Sequence, residues 1–374
     1  MPNDAHWMER ACQIALEGQG RVEPNPMVGC VIVRDGQQIS EGIHAQFGGP
    51  HAERVALANL KELSARGATA YVTLEPCCHY GKTPPCTDAL IEAGVVRVCC
   101  AMLDPDPRVS GQGVQQLRRA GLQVDVGCAE AAARNLLAPY LKKTTEGRPF
   151  VIAKWAMSLD GKMATHTGDS RWISSAASRQ HAHQVRGRVD AIVVGSRTAQ
   201  VDNPLLTARP PGARIPLRVV FDSLASLSPE SQLAQTARNI PVLVWAGPAA
   251  PELNIQRLRA LGCQVEVCPD GQQRIPALLD LLVKQINATN VLFEGGGRLL
   301  GHLFETQLID EVQVYVAPKL IGGLSSSPLS AHGIAQMSDG PTLTVCERAN
   351  FDDDIFIRAR IERPDFDVKR GPRL

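Results

Sequence analysis

Residues 50–53 read PHAE and residues 75–86 read EPCCHYGKTPPC. Together they supply His51, Glu53, Cys77 and Cys86: one imidazole, one carboxylate and two thiols. Catalytic zinc takes three protein ligands and keeps a fourth position for water. His51 follows Gly48-Gly49-Pro50 and opens a predicted helix, with Glu53 in its first turn. Side chains two apart on a helix do not share a face. The pair therefore fits a split of labour, with His51 on the metal and Glu53 beside the water. The pattern places Cys77 at the end of a strand and Cys86 in the first turn of the next helix. Free amide N–H groups and the helix dipole favour a thiolate there, and the thiolate is what binds zinc. Such a metal lowers the pKa of its water to about 7. Glu53 would take the proton as general base and return it as general acid.

A closed structural zinc site is the alternative, with Cys78 or His79 as fourth ligand. A structural site has no use for a carboxylate beside its histidine. H-x-E followed by P-C and a further Cys is the pattern of zinc deaminases of nucleobases, so the expected chemistry is hydrolytic loss of an amino group from a nitrogen heterocycle. Eight residues separate Cys77 from Cys86, whereas the generic pattern has two.

The 374 residues suggest two domains. A hydrophobic share of 44% with 21% charged residues is that of a globular protein. The net charge of +1 argues against a nucleic-acid partner, which calls for a basic excess. No apolar run approaches a membrane span, and the N-terminus lacks the basic and apolar regions of a secretory signal. A cytoplasmic enzyme is expected. Its eleven cysteines are then reduced thiols, with Cys12, Cys30, Cys99, Cys100, Cys263 and Cys346 as small buried hydrophobes.

The elements that must position the motifs alternate between strand and helix, which predicts layered α/β sheets. Predicted helices cover 8–18, 51–67 (stopped by Gly67) and 84–94; predicted strands cover 28–33, 68–76 and 95–103, with a hairpin partner after 33. A helix, strand and helix follow to about 146. The polar strip 142–150 reads as a linker. The pattern restarts with a strand over 151–161, a helix over 174–189 and a strand entering a helix over 191–199. Later strands fall at 217–221, 241–247, 263–268 and 290–297, and antiparallel strands from 312 to 361. The tail 363–374 reads as loosely ordered.

PNPMVGCVIV (24–33), PHAE, TLEPCCHYGKTPPC (73–86) and DPDPRVSGQG (104–113) resemble the deaminase half of the bifunctional riboflavin-biosynthesis deaminase–reductases. That family carries the long, proline-containing loop between its zinc cysteines. The resemblance implies one zinc per chain and a diaminopyrimidinone substrate bearing a ribosyl 5-phosphate. It puts Asn25 and His44 in the base pocket and Lys82 near the phosphate. The family has a small polar residue where this chain has Cys78, so either Cys77 or Cys78 is available as the thiol ligand.

WAMSLDGKMATHTGDSRWISS (155–175), GSRTAQVDNPLLTAR (195–209) and FEGGGRLLGHL (293–303) resemble the reductase half. The implied architecture is a cytidine-deaminase-like three-layer domain over 1–146 and a dihydrofolate-reductase-like domain over 147–374. A glycine run between a strand and a helix also suits phosphate binding in its own right. The resemblance implies NADPH contacts at Ala156, Trp172, Thr198, Asp202 and Ser223, and along Gly296, Gly297, Arg298, Leu299, Leu300, Gly301 and His302. It places the sugar phosphate on Ser170, Arg186, Leu206, Arg209 and Glu294. Arg186 and Arg209 can fork onto a phosphate, and Lys154 can polarise the reacting sugar. A homo-oligomer, dimer or larger, is implied. The competing assignment is a nucleic-acid or nucleoside zinc deaminase with an accessory domain.

Overall fold

The computed structural model describes residues 4–60, 64–80, 84–324 and 326–362. The chain divides into two compact units, Met1–Arg148 and Pro149–Leu374.

The first unit runs α1 (Asp4–Ala15), β1 (Gly29–Arg34), β2 (Gln37–Ile43), α2 (Ala52–Ala58), β3 (Thr69–Val72), α3 (Cys86–Glu92), β4 (Arg97–Cys100), α4 (Gln112–Arg119), β5 (Gln123–Val126) and α5 (Glu130–Glu146). The strands form one sheet in the order β2-β1-β3-β4-β5. β1 pairs antiparallel with β2 and β3, and β3, β4 and β5 are parallel. Successive strand residues point to opposite faces. Val31, Val33 and Cys99 pack with Met8, Ile14, Leu137 and Leu141 from α1 and α5. Cys30, Ile32 and Cys100 pack with Ala52, Ala56, Leu90 and Leu117 from α2, α3 and α4. Helices on both faces of a sheet make the expected three layers.

Three local expectations need correction. The helix expected over 51–67 ends at Ala58, where the Asn59 side-chain amide donates to the Glu41 carbonyl at 2.9 Å. The strand expected to carry Cys77 ends at Val72, so Cys77 sits in a loop. The linker expected over 142–150 is helical as far as Glu146. There Lys142 is buried and reaches Glu146 one turn on at 2.5 Å. Gly147 then closes the helix at φ 72°, a left-handed cap that glycine adopts without a Cβ penalty.

The second unit runs β6 (Phe150–Ser158), α6 (Ala176–Arg186), β7 (Ala191–Gly195), α7 (Ser196–Asp202), β8 (Leu217–Phe221), α8 (Gln232–Gln235), β9 (Val242–Ala246), α9 (Glu252–Ala260), β10 (Gln264–Val267), α10 (Arg274–Ile286), β11 (Asn290–Glu294), α11 (Gly297–Glu305), β12 (Glu311–Ala317), β13 (Leu343–Phe351) and β14 (Asp354–Ile361). Its sheet has the order β10-β9-β8-β7-β11-β6-β12-β14-β13. The strands from β10 to β12 are parallel. β14 pairs antiparallel with both β12 and β13, as the sequence pattern of the chain's end requires. Val193, Val219, Leu243 and Phe293 anchor the core with Leu278 and Leu282 of α10 and Leu300 and Leu303 of α11.

All eleven cysteines are free. Five of the six expected in the core are buried, but Cys346 lies half-buried on the exposed strand β13. The tail 363–374 lies outside the described residues. Among the described residues, no helix is long and apolar enough to cross a membrane.

Candidate active sites

His51 is the N-cap of α2, in extended conformation with ψ 160°, which throws its ring forward of the helix. α2 lies hard against β2: a Cβ on Gly42 would come within 2.2 Å of the Ala56 nitrogen. Only glycine permits that approach. The Cys77 loop is fixed just as closely, since a Cβ on Gly113 would lie 2.2 Å from the Pro76 carbonyl oxygen. The Cys77 carbonyl accepts from the amides of Cys86 (3.0 Å) and Thr87 (3.2 Å) and so caps α3. Arg54 of α2 donates to the carbonyls of Pro84 (3.1 Å) and Pro85 (3.0 Å), locking the approach to Cys86.

The result is a triad of donors. His51 Nδ1 lies 3.4 Å from Sγ of Cys77 and 3.4 Å from Sγ of Cys86, and all three atoms fall within 4.8 Å of one another. Tetrahedral zinc requires N···S separations of about 3.5 Å at ordinary bond lengths, so the spacing fits the ion. Neither Cys78 nor His79 belongs to the cluster among the described residues.

The electrostatics agree with the geometry. Hydrogen bonds with Cys86 and then His51 outweigh burial and pull the Cys77 thiol well below its ordinary value. The hydrogen bond to that thiolate, followed by burial, pushes the Cys86 thiol up. One proton is thus shared between two sulfurs, and a divalent cation is the natural replacement for it. The hydrogen bond with Cys77 raises His51. Glu53 is 3% exposed. Burial, then the nearby Cys77 charge, pushes its carboxyl up to about 7, where it can both take and give a proton near neutrality.

His51, Glu53 and Cys77 open onto a cavity of about 560 Å³. Asn25 and His44 line it. His44 Nδ1 donates to the Pro50 carbonyl at 2.9 Å, which leaves Nε2 to accept from the Asn25 amide at 3.2 Å. Burial lowers the His44 pKa, in keeping with a neutral ring. Lys82 lies outside the described residues. The pattern missed Glu75, Tyr140, Lys143 and Thr144, which also line the cavity. Glu75 accepts from the amides of Asp104 (3.1 Å), Gly111 (2.9 Å) and Val114 (3.0 Å), pinning the loop before α4. Tyr140 donates to Asp104 at 2.8 Å. The helical spacing of Leu136, Leu137, Tyr140 and Leu141 was the available signal for this wall.

The second unit holds a cavity of about 1010 Å³ at the C-terminal ends of β7, β8 and β11, the usual ligand edge of a parallel sheet. Thr198 and Asp202 of α7 line it, with Ser170 and, from the glycine turn, Gly296, Gly297, Arg298, Leu299 and His302. Gly295 stands at φ 105°, and its amide neighbour Gly296 donates to Thr198 Oγ1 at 3.1 Å. A Cβ on Gly296 would meet only that oxygen, at 3.4 Å, whereas one on Gly297 would strike the Ser327 carbonyl oxygen at 2.1 Å, so of the two only Gly296 leaves open space at the turn.

Other expected cofactor contacts lie elsewhere. Leu300 is fully buried in the core, because it occupies the sheet-facing side of α11. Gly301 faces the Ser330 backbone and the Ala331 methyl. Ala156 packs against Tyr315 and Phe356. Trp172 is 62% exposed with the Arg179 guanidinium 4.4 Å from its ring. Ser223 is outside the lining but accepts at 2.8 Å from Arg274, which is in it.

The expected substrate residues form a second group. Arg186 does not present an open phosphate fork: it grips Glu294 with two bonds, 2.8 and 2.6 Å. Burial pushes the Glu294 carboxyl up, but Arg186 and Lys154 outweigh it and hold it at about 2. Burial lowers Lys154. Arg209 is exposed and meets His183 Nε2 at 3.3 Å. Leu206 is 2% exposed at φ 54°. A side chain held in the left-handed region costs about 1–2 kcal/mol, so Leu206 sets a backbone turn with its side chain in the core.

The profile described as the RibD C-terminal domain matches residues 149–356. That described as the cytidine and deoxycytidylate deaminase zinc-binding region matches residues 1–102. The riboflavin biosynthesis protein RibD of Actinobacillus pleuropneumoniae is 40% identical over 357 residues, covering 95% of this chain and 94% of that one. The chain belongs to the RibD family. The Escherichia coli K12 relative is 36% identical over 90% of this chain and 94% of its own. The Acinetobacter baumannii RibD structure superposes with a TM-score of 0.82 at 36% identity, over 97% of this chain and 99% of that one. A deaminase/reductase structure from Thermotoga maritima gives 0.82 at 35% identity, over 96% and 98%. As a RibD-family member the chain is a bifunctional deaminase and reductase of riboflavin biosynthesis, with the deaminase domain first and the reductase domain second.

Proposed function

We propose that the first unit deaminates 2,5-diamino-6-(5-phosphoribosylamino)pyrimidin-4-one. The second then reduces the ribosyl side chain of the product with NADPH to give 5-amino-6-(5-phosphoribitylamino)uracil. The Thermotoga maritima relative is described as a diaminohydroxyphosphoribosylaminopyrimidine deaminase/5-amino-6-(5-phosphoribosylamino)uracil reductase, and the cavities found here suit both substrates. The observation that carries the reading is the His51, Cys77 and Cys86 triad beside a buried Glu53 poised near neutrality.

His51, Cys77 and Cys86 would hold one zinc per chain, which supplies the Lewis acidity that makes water a nucleophile near pH 7. Glu53 takes the proton from that water and delivers it to the departing amine, which leaves as ammonia. Asn25 and the neutral His44 orient the base, and Lys82 assists its phosphate. In the second unit NADPH supplies the reducing equivalent. The Gly296–Gly297 turn, Thr198 and Asp202 seat it. Arg186 clamps Glu294 beside Lys154, so Lys154 and Glu294 handle the opened sugar. Arg209, whose guanidinium is exposed, takes the substrate phosphate with Ser170 nearby.

A homo-oligomer suits the exposed apolar side chains of Leu343 and Val345 on the edge strand β13 and of Ile355 on its neighbour β14. The eleven free thiols fit a reducing, cytoplasmic setting.

The test is Glu53→Gln in the full chain, assayed for ammonia release from the diaminopyrimidinone phosphate. Deamination should fall by about 10²- to 10⁴-fold, with zinc content and NADPH-dependent reduction of the deaminated substrate unchanged. Full deamination by the variant would remove Glu53 from the reaction.

A further inference from the structure

The proposed reduction asks Lys154 to meet the opened sugar, yet its amine makes no hydrogen bond among the described residues. Glu294 stands beside it in register on β11. Both oxygens of that carboxylate are already engaged by Arg186, at 2.8 and 2.6 Å. Another group must aim the amine.

The neighbouring strand supplies one. Side chains two apart along a strand share a face, so Lys154 and Ala156 of β6 point the same way. Ala156 is in register with Tyr315 on β12 and packs against it. A methyl at that position leaves the phenol ring room to lean over β6. The Lys154 amine lies 5.5 Å from the ring centre, within reach of a cation–π contact. Tyr315 is 1% exposed, so water does not compete for that ring face.

The ring is held in turn. α6 is pinned to the start of β14, where Asp354 accepts from the Ser178 hydroxyl at 2.6 Å and the Ser175 amide at 2.7 Å. His181, further along α6, shares a hydrogen bond with the Tyr315 hydroxyl through Nδ1 at 2.8 Å. Its imidazole stacks on Phe351 at 4.5 Å and stands edge-on to Phe356 at 4.8 Å. A purely apolar cluster would fill the same space. The hydroxyl–imidazole bond adds a fixed ring orientation, and the face so fixed is the one Lys154 meets.

The charged groups around Lys154 pull in both directions. Glu294 of β11 favours the ammonium, whereas burial and Arg186 of α6 oppose it. His183, also on α6, acts on Arg186 and Glu294. Glu347 of β13 acts on Tyr315 rather than on Lys154.

We infer that Tyr315, held by His181, is a positioning residue of the reductase: its ring face keeps the Lys154 amine charged and aimed at the reacting carbon of the opened sugar. The inference rests on the proposed role of Lys154 and names the group that directs it.

Single-turnover oxidation of NADPH by the full chain, with the deaminated substrate, isolates the chemical step, and its rate is followed against pH. The wild-type rate should fall on the alkaline side as Lys154 loses its proton. Tyr315→Leu should lower the plateau rate by about tenfold and move that limb down by about one pH unit, because loss of the ring face destabilises the ammonium. Its NADP⁺ affinity, read by calorimetry, should stay within about twofold, which shows a folded unit. Tyr315→Phe keeps the ring and should restore the limb to within about 0.3 unit of wild type. A trifluorinated phenylalanine at position 315 keeps that shape and drains the ring face, so its limb should lie about half a unit below that of Tyr315→Phe. This comparison decides the matter even where the leucine variant does not fold. His181→Phe should slow the step by about threefold with the limb unmoved. An unmoved limb in Tyr315→Leu and in the fluorinated protein, or a Tyr315→Phe as impaired as Tyr315→Leu, would make the cluster plain packing and overturn the inference. Lys154→Met should lose about 100-fold or more. Loss in Lys154→Met beside an unmoved limb in the Tyr315 variants would overturn the positioning role alone. A Lys154→Met that kept the wild-type rate would remove Lys154 from the reaction and this inference with it.

Discussion

Replacing Glu294 by Gln keeps the side chain's shape and removes the charge that Arg186 and Lys154 share. Both partners of the pair are well covered: the Arg186 side chain is 16% exposed and that of Glu294 6%. The carboxyl is held at about 2 against an ordinary 4.5. At about 1.4 kcal/mol per pK unit, that depression contributes about 3 kcal/mol to folding. The figure agrees with the roughly 3–5 kcal/mol cost of removing one member of a buried pair. Because the folded-state value is the lower one, the contribution is complete above about pH 4.5 and disappears as pH falls towards 2. Urea unfolding of the full chain, followed by tryptophan fluorescence, reads it. Three of the four tryptophans, Trp155, Trp172 and Trp245, lie in the second unit. The wild type should exceed Glu294→Gln by about 3 kcal/mol at pH 7 and by almost nothing near pH 2. A difference below about 0.5 kcal/mol at pH 7, or one independent of pH, would refute the ion-pair account.

Two further substitutions probe the first unit. Gly42→Ala forces a Cβ to within 2.2 Å of the Ala56 nitrogen, so α2 must shift with His51 and Glu53. We expect about 1–3 kcal/mol of destabilisation and loss of deamination with reduction intact, read by calorimetry and the two separate assays. Asn25→Ala removes the donor to His44 Nε2. The KM of the deaminase should rise by about tenfold, the worth of one hydrogen bond, with kcat and zinc content nearly unchanged; a fall in kcat alone would contradict a base-positioning role.

Local periodicity reveals much of this fold. Alternation in residues 29–34 splits Val31 and Ile32 between two cores, and PHAE with the two cysteines forecasts the donor cluster. Contacts between distant residues stay hidden. Arg186 and Glu294 are 108 positions apart, so the sequence could show a phosphate-ready arginine and a carboxylate suited to sugar hydroxyls but not that they neutralise each other. Glu75 looks like an ordinary residue ahead of Cys77, yet its three acceptor bonds reach amides beyond residue 100. Polar composition misled at 142–146, where burial of Lys142 with its i+4 partner continues a helix through an apparent linker. Resemblance assigned the whole run 296–302 to the cofactor, although helical geometry turns Leu300 into the core.

The coordination shell of the bound ion is the decisive quantity. X-ray absorption of the zinc-loaded protein should show two sulfurs and one imidazole nitrogen, with a light oxygen-type scatterer in the fourth position, at one zinc per chain. Three sulfurs or a second imidazole would mean that Cys78 or His79 closes the site, and hydrolysis at this triad would be contradicted.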